Sequence, residues 1–358
     1  MRVDRARVGR YGRAAARWGR LLATRPPRGD VRVFYGHDRV PGPDDAAAGG
    51  TAKMQRLATR FPNSPAGFNL LYLGSTWLPR DLRPLLRLAR RRGIPVVLNQ
   101  NGVAYPAWAG ERAEALNRPN RLALRAAGHV LYQSEFCKRS ADEHLGPPPA
   151  GWEVLPNAVD VERFTPAASP PAGGPILLAG GDQVQGDYRL ELALRTVAHL
   201  VREHPQARLL VSGRLLGDPA ALVAELGLGG HVELLGRYRQ ADAPALFRRA
   251  HLLLHTQMND SCPSVVLEAM ACGLPVVHPA SGGTVELVGG EAGIGVPHEA
   301  SWERLVPPEP EALADAVGRV LEALPAYATA ARARAVERYA LGPWLDRHAA
   351  LFARLVER

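Results

Sequence analysis

A chain of 358 residues, 46% hydrophobic and 22% charged, is long enough for two α/β domains of ordinary size. Its three cysteines (Cys137, Cys262 and Cys272) have no ligand-like spacing, which argues against a disulfide framework and a zinc site, and no run approaches the roughly 18 apolar residues of a membrane span. No secretory hydrophobic region is evident at the N-terminus, so the cytoplasm is the expected compartment, and the net charge of +9 is concentrated at one end.

Residues 1–28 hold nine Arg against one acid, Asp4, and so carry +8 of that charge. Within them Val8, Tyr11, Ala15, Trp18 and Leu22 recur at helical spacing, giving one apolar face on a cationic helix. Such helices lie on anionic membrane surfaces; the other reading is an Arg-rich, loosely ordered tail. No aromatic-interleaved surface points to nucleic acid.

Val31 to Gly36 reads as a first buried strand. Gly49-Gly50-Thr51 then opens a helix through Arg60. Phe68 to Leu73 is a second strand, Arg80 to Arg92 a helix with Arg83, Arg87, Arg90 and Arg91 on one side, and Ile94 to Leu98 a third strand. Strand His129 to Gln133, helix Glu135 to Leu145 and strand Trp152 to Leu155 follow. A Pro/Gly-rich stretch from Pro166 to Pro175 is the best linker.

The alternation then restarts with strand Pro175 to Ala179, helix Arg189 to Glu203 and strand Arg208 to Ser212. Helix Pro219 to Leu226, strand Val232 to Leu235, helix Ala241 to Arg249 and strand His251 to His255 come next. Helices Glu309 to Leu324 and Ala326 to Arg358 close the chain. Alternating strands and helices predict parallel, doubly wound α/β sheets, here in two similar halves.

The most informative stretch is Asp260 to Glu286, DSCPSVVLEAMACGLPVVHPASGGTVE. Two carboxylates, Asp260 and Glu268, bracket a loop and a helix start, and a buried strand and a Ser-Gly-Gly loop follow. Ionised carboxylates accept hydroxyl hydrogen bonds from sugars and riboses. Backbone N–H groups at helix starts and Gly-rich turns hold diphosphates. This stretch resembles the donor-site signature of family 4 of the retaining glycosyltransferases. Gly49-Gly50-Thr51-Ala52-Lys53, Val130 to Lys138 and Leu155-Pro156-Asn157-Ala158-Val159-Asp160 with Phe164 and Pro166 are similar to further segments of that family.

The resemblance implies the GT-B fold, two Rossmann-like domains facing across a cleft. It divides the chain into a basic segment (1–28), an acceptor-side domain (29–166), a linker (167–174), a donor domain (175–338) and a C-terminal helix (339–358) expected to cross back to the first domain. Asp260 would face hydroxyls of the transferred sugar and Glu268 the ribose. Gly49, Gly50 and Thr51, the backbone around Ser261, Cys262, Pro263 and Ser264, and Gly282 and Gly283 would surround the sugar and diphosphate. Gly236 and Arg237 would meet the nucleobase. Glu286 would fix loop geometry or touch ligand. On the acceptor side Asn99, Gln100 and Asn101 are expected to line the cleft with Tyr105 and Trp108, whose rings would stack on a sugar or simply pack the loop. No metal and no cofactor is expected beyond the nucleotide-sugar co-substrate.

The chain also departs from the family. Asp260 is one methylene shorter than the usual Glu. Gly181 stands where an Arg is expected and Gln185 where a Lys is expected, so the cationic pair that holds the leaving diphosphate is missing, and Asp182 adds an acid. Arg189 and Arg214 are the candidate replacements. A His common after the third or fourth strand is replaced by neutral amides.

The expected function is therefore transfer of a sugar, with retention and without metal, from a nucleotide sugar to a hydroxyl of a glycan or lipid-linked acceptor. The setting expected is bacterial surface polysaccharide or glycolipid assembly at the inner face of the plasma membrane. The rival is a non-catalytic GT-B subunit that binds sugar nucleotides or serves as a scaffold. A pyridoxal-phosphate phosphorylase is excluded because both lysines, Lys53 and Lys138, lie in the first half. A phosphate-loop NTPase is excluded by Asp187 where Lys must be.

Overall fold

The structure, a computed structural model, describes residues 15–23, 29–42, 45, 50–149, 151–182 and 188–357. Gly49, Gln185 and Asp187, Val8 and Tyr11 of the expected apolar face, and seven of the nine N-terminal arginines lie outside the described residues.

Residues 15–23 form helix α1. After it come β1 (Val33–Phe34), α2 (Gly50–Ala58), β2 (Leu70–Gly74), α3 (Leu82–Arg91), β3 (Val96–Gln100), α4 (Pro106–Ala109), α5 (Ala113–Ala126), β4 (His129–Tyr132), α6 (Glu135–His144) and β5 (Gly151–Val154). The five strands form one parallel sheet in the order β1-β2-β3-β4-β5. Side chains alternate across it. Leu71 and Leu73 face one core with Leu85, Leu124 and Cys137 of α3, α5 and α6. Leu70 and Tyr72 face the other with Met54 and Leu57 of α2.

The second half runs β6 (Ile176–Ala179), α7 (Tyr188–Glu203), β7 (Arg208–Ser212), α8 (Pro219–Glu225), β8 (Val232–Gly236), α9 (Ala243–Phe247), β9 (Leu252–Leu254), α10 (Ser264–Ala271), β10 (Val276–Pro279), α11 (Thr284–Val288), β11 (Gly293–Val296), α12 (Pro310–Glu322), α13 (Leu324–Tyr339) and α14 (Leu341–Val356). Its parallel sheet has the order β11-β10-β9-β6-β7-β8. The chain winds outward from β6 toward β7 and β8, then returns to place β9 on the other side. The boundary between β6 and β9 is thus a topological switch point, where the carboxyl ends of neighbouring strands open a crevice that binds ligands. These central strands are buried on both faces, as their near-continuous Leu, Val and Ile content requires.

Helix α14 lies on the first sheet. Its Trp344, Leu351 and Phe352 are buried with Tyr35, Tyr72 and Met54, and buried His348 Nε2 is 3.1 Å from the Tyr72 hydroxyl. Helix α1 also packs on the first domain, with Trp18 of the expected stripe half-buried against its core. Leu21 is the buried anchor, while Leu22 is 59% exposed and Ala15 faces solvent. Arg17 fixes the helix by reaching Asp81 (3.1 Å), Asp38 (3.2 Å) and the Gly36 carbonyl (2.8 Å).

Because the Phe352 ring fills a fully buried site against Phe61 and Tyr72, Phe352→Ala should destabilise the protein by about 3–5 kcal/mol in denaturant unfolding. An unchanged midpoint would mean that α14 contributes nothing to the first domain's core.

Candidate functional site: a cleft with a carboxylate in each of two cavities

Two cavities lie between the sheets, one of about 850 Å³ and one of about 610 Å³. They share four wall residues: Gly181 and Asp182 after β6, and Ser264 and Val265 at the start of α10. Asp260 lines the larger and Glu268 the smaller. The eight-residue spacing is what separates them: Asp260 sits in the loop before α10, and Glu268 lies one turn into that helix.

The loop is held from behind. Gly283 N donates to the Asp260 carbonyl at 2.7 Å. A Cβ on Gly283 would stand 2.0 Å from the Ser261 carbonyl oxygen, and one on Gly282 (φ +70°) 2.5 Å from that of Asp260. Only glycine permits this approach. Gly282 and Gly283, expected around the sugar and diphosphate, back the Asp260 segment and lie outside both cavity linings. Glu286 reaches the first domain instead, accepting from Glu135 N and Phe136 N at 2.7 Å each.

Asp260 Oδ1 accepts one hydrogen bond, from Cys262 N at 3.2 Å. Burial raises its carboxyl above the ordinary range, opposed by that bond and by the Arg189 charge. Burial likewise raises the Glu268 carboxyl. Against that, Glu268 Oε1 receives Arg56 Nη2 from α2 and Gln240 Nε2, both at 3.2 Å. The Arg56 pair, 212 residues apart in sequence, spans the cleft, and Arg56 also donates to the Ala158 carbonyl at 2.6 Å.

Ser261, Cys262, Pro263 and Ser264 all line the larger cavity, with Gly50 and Thr51 across from them. The buried Cys262 thiol is pushed up to about 12, its sulfur receiving Asn157 N at 3.3 Å. Of the two candidate cations, Arg189 lines the larger cavity, 4% exposed. Arg214 does not: its side chain is exposed, outside both linings, and its backbone N–H donates to Asp182 at 2.8 Å. Arg237 lines the smaller cavity and pairs with Asp182. That pairing holds the Asp182 carboxyl below the usual range and offsets the acid that the sequence places there. Gly236 follows the strand but lies outside both linings, its carbonyl accepting from Gly213 N at 2.8 Å.

On the first domain the expected amide cluster is split. Strand β3 runs two residues past its expected end, so alternation sends Asn99 and Gln100 into opposite cores. Asn99 is 1% exposed, accepting from Lys53 at 2.5 Å and donating to the Tyr72 hydroxyl at 3.0 Å. Gln100 is fully buried, donating to the Gly102 carbonyl. Only Asn101 reaches the larger cavity, where its side-chain Oδ1 takes Lys53 Nζ at 2.9 Å and Gln133 Nε2 at 3.0 Å. Burial lowers the Lys53 amine to about 7. Tyr105 and Trp108 line the same cavity. Tyr105 is packed edge-on by Trp108 and by Trp302, whose carbonyl accepts from Ala107 N at 2.8 Å.

The sequence reading missed Arg56, Tyr188, His255 and Trp302 as cavity residues. His255 alone carried a local signal, a polar residue at the carboxyl end of a buried strand; the others arrive through contacts distant in sequence.

Two family models match adjoining parts of the chain: Glycosyltransferase Family 4 over residues 29–163 and Glycosyl transferases group 1 over residues 174–323. The chain belongs to the family 4 glycosyltransferases. The resemblance drawn from Asp260 to Glu286 is thereby borne out, as is the GT-B fold. Among similar solved structures is Anabaena Alr3699/HepE in complex with UDP-glucose, at TM-score 0.65 and 20% identity, covering 80% of this chain and 79% of that one. AviGT4, a glycosyltransferase involved in avilamycin A biosynthesis, has TM-score 0.57 and 18% identity, covering 91% and 98%. Relatives include the D-inositol 3-phosphate glycosyltransferase of Kineococcus radiotolerans, 30% identical over 239 residues (60% of this chain, 54% of the relative). Another is the phosphatidylinositol N-acetylglucosaminyltransferase gpi3 subunit of Schizosaccharomyces pombe, 23% identical over 238 residues (65% and 49%). The chain spans about half the length of these curated relatives.

The raised Asp260 carboxyl has a consequence for stability. A carboxyl whose folded value exceeds its unfolded one makes the folded chain bind more protons. Its contribution is thus lost as pH climbs from the ordinary Asp range through the raised value. At pH 7 the ionised group is a net cost, and Asp260→Asn, which keeps the acceptor for Cys262 N, should stabilise the protein by about 1 kcal/mol. The gain should vanish near pH 3. Destabilisation at pH 7 in a pH series of denaturant melts would contradict this assignment.

Proposed function

We propose that this glycosyltransferase moves a sugar, with retention and without a metal ion, from a nucleotide sugar to a hydroxyl of a glycan or lipid-linked acceptor. The observation that carries the reading is the pair of cavities joined at Gly181, Asp182, Ser264 and Val265, with Asp260 lining the larger and Glu268 the smaller. The nucleoside fits the smaller cavity, where Glu268 accepts from the ribose and the Arg237–Tyr238 wall flanks the base. The diphosphate crosses the shared wall, beside the Gly181 turn and the start of α10. The sugar enters the larger cavity beside Asp260, and the acceptor approaches past Asn101, Tyr105 and Trp108.

In this reading the C1–phosphate bond breaks through an oxocarbenium-like transition state while the acceptor oxygen attacks from the same face. The leaving phosphate takes the acceptor's proton, so retention needs no protein nucleophile. Electrostatic stabilisation of that phosphate is the principal catalytic contribution. UDP is the first nucleotide to test because similar structures were solved with UDP and UDP-glucose. The names of the relatives point to inositol phosphates and phosphatidylinositol as acceptors to try first.

Docking at an anionic membrane is the second part of the proposal. The solvent face of α3 presents Arg83, Arg87, Arg90 and Arg91 with no acid in the helix. Arg92, just after it, donates to the carbonyls of Leu21 and Leu22 (2.8 and 2.7 Å) at the end of α1. No helix among the described residues is long and apolar enough to cross a membrane.

A thermal-shift panel of nucleotide sugars should reveal stabilisation by one donor group, strongest for UDP-sugars. Glu268→Ala should abolish it, by loss of the ribose acceptor. No stabilisation by any donor would favour a scaffold role. For the membrane, each Arg near an anionic surface contributes about 1 kcal/mol. Reversing Arg83, Arg87, Arg90 and Arg91 to Glu should therefore abolish sedimentation with phosphatidylserine vesicles; unchanged sedimentation would rule out α3 as the docking face.

A further inference from the structure

Two buried polar groups at the switch point are left without partners. His255 follows β9 directly and is 2% exposed; its backbone N–H donates to the Val277 carbonyl at 2.9 Å. Neither of its ring nitrogens has a hydrogen-bond partner. Arg189, in the first turn of α7, donates from Nη1 to the Asp182 carbonyl at 3.1 Å, but its Nε has no partner. Both residues line the larger cavity. A buried polar group left unpaired costs about 1–3 kcal/mol, which a ligand supplying the missing acceptors recovers.

Their surroundings define what that ligand is. Burial, with Arg189 and His278 nearby, holds the His255 ring well below its ordinary pKa, so it is neutral and presents one N–H. Beside it stands the Arg189 guanidinium. Together they offer two donors and one positive charge, which suits an anionic oxygen. The hydroxyl-accepting carboxylate, Asp260, lines the same cavity. The Val265 side chain packs on Gly180, which lines the same cavity directly after β6; a Cβ there would stand 2.9 Å from Val265 Cγ2.

We propose that His255 and the Nε edge of Arg189 together grip the sugar-bearing phosphate of the donor, doing the work of the cationic pair missing at Gly181 and Gln185. This rests on the donor-site reading above and assigns His255 a role in it. As the bond from C1 to the phosphate oxygen breaks, its electron pair stays on that oxygen. The acceptor oxygen bonds to C1, and the acceptor's proton passes to the departing phosphate. His255 transfers no proton; its N–H steadies the charge that grows on the oxygen, and Arg189 supplies the countercharge.

The test is calorimetric titration of the intact protein with UMP and UDP, and with the corresponding guanosine, adenosine and thymidine pairs. Wild type should bind one diphosphate more tightly than its monophosphate. His255→Ala should lose about tenfold to a hundredfold of the diphosphate affinity, the value of a hydrogen bond to a charged group, and leave monophosphate affinity unchanged. His255→Asn, which keeps an N–H, should recover part of the loss. Ser212→Ala is the control, since Ser212 Oγ is also buried and unpartnered but lies outside both cavity linings; it should bind as wild type. Diphosphate binding unchanged in His255→Ala, or an equal loss for both nucleotides, overturns the phosphate role while leaving the donor site standing. No nucleotide binding by wild type overturns the donor-site reading itself, and this assignment with it.

Discussion

The N-terminus of α6 is the joint on which the cleft depends. A helix start leaves its first N–H groups without intrahelical partners, and here both domains supply them. Ser134 accepts from Cys137 N at 3.0 Å and donates to the Ser261 carbonyl at 2.7 Å. Glu286, from the opposite domain, takes Glu135 N and Phe136 N, with its negative charge at the positive end of the helix dipole. The segment from Asp260 to Cys262 is thus held at the Ser261 carbonyl, where Ser134 and Gly283 meet. Asp260 is placed by two domains at once, and anything that opens the joint moves the carboxylate.

The same seam holds ionisable groups in opposite-charge pairs. Glu268 is 5% exposed and is matched by Arg56 from across the cleft. Asp182 is matched by Arg237. Glu268 and Arg56 form a buried pair, and removing one member would leave an uncompensated charge, which is costly. Arg56 and Gln240 both take Glu268 Oε1, which leaves Oε2 for the ribose of the proposed donor site. Lys53 is handled differently, by two amide oxygens and a lowered pKa.

Much of this was legible in the sequence because it is local. Gly-Gly between Ser281 and Thr284, the eight-residue spacing of Asp260 and Glu268, and the buried Val-Val strand that follows are all short-range patterns. Alternating apolar runs likewise located most strands of both sheets. The acceptor side was read less well. Strand β3 was ended at Leu98 because Asn99 and Gln100 are polar, yet both are buried by pairing inside the protein, which composition does not reveal. Helices α4 and α5 and strand β11 were not foreseen; Pro119 inside α5 argues locally against a helix. Arg56 and Trp302 were invisible for a different reason: their partners lie more than 100 residues away.

The central claim is that one nucleotide sugar spans both cavities. Its most direct test is a crystal structure of the protein with UDP or the donor that stabilises it. The account predicts the nucleoside in the 610 Å³ cavity with ribose hydroxyls on Glu268, the diphosphate over Gly181 and Ser264, and the sugar end beside Asp260 in the 850 Å³ cavity. Nucleotide bound elsewhere, or both cavities empty at saturating ligand with Arg56 still on Glu268, would contradict it.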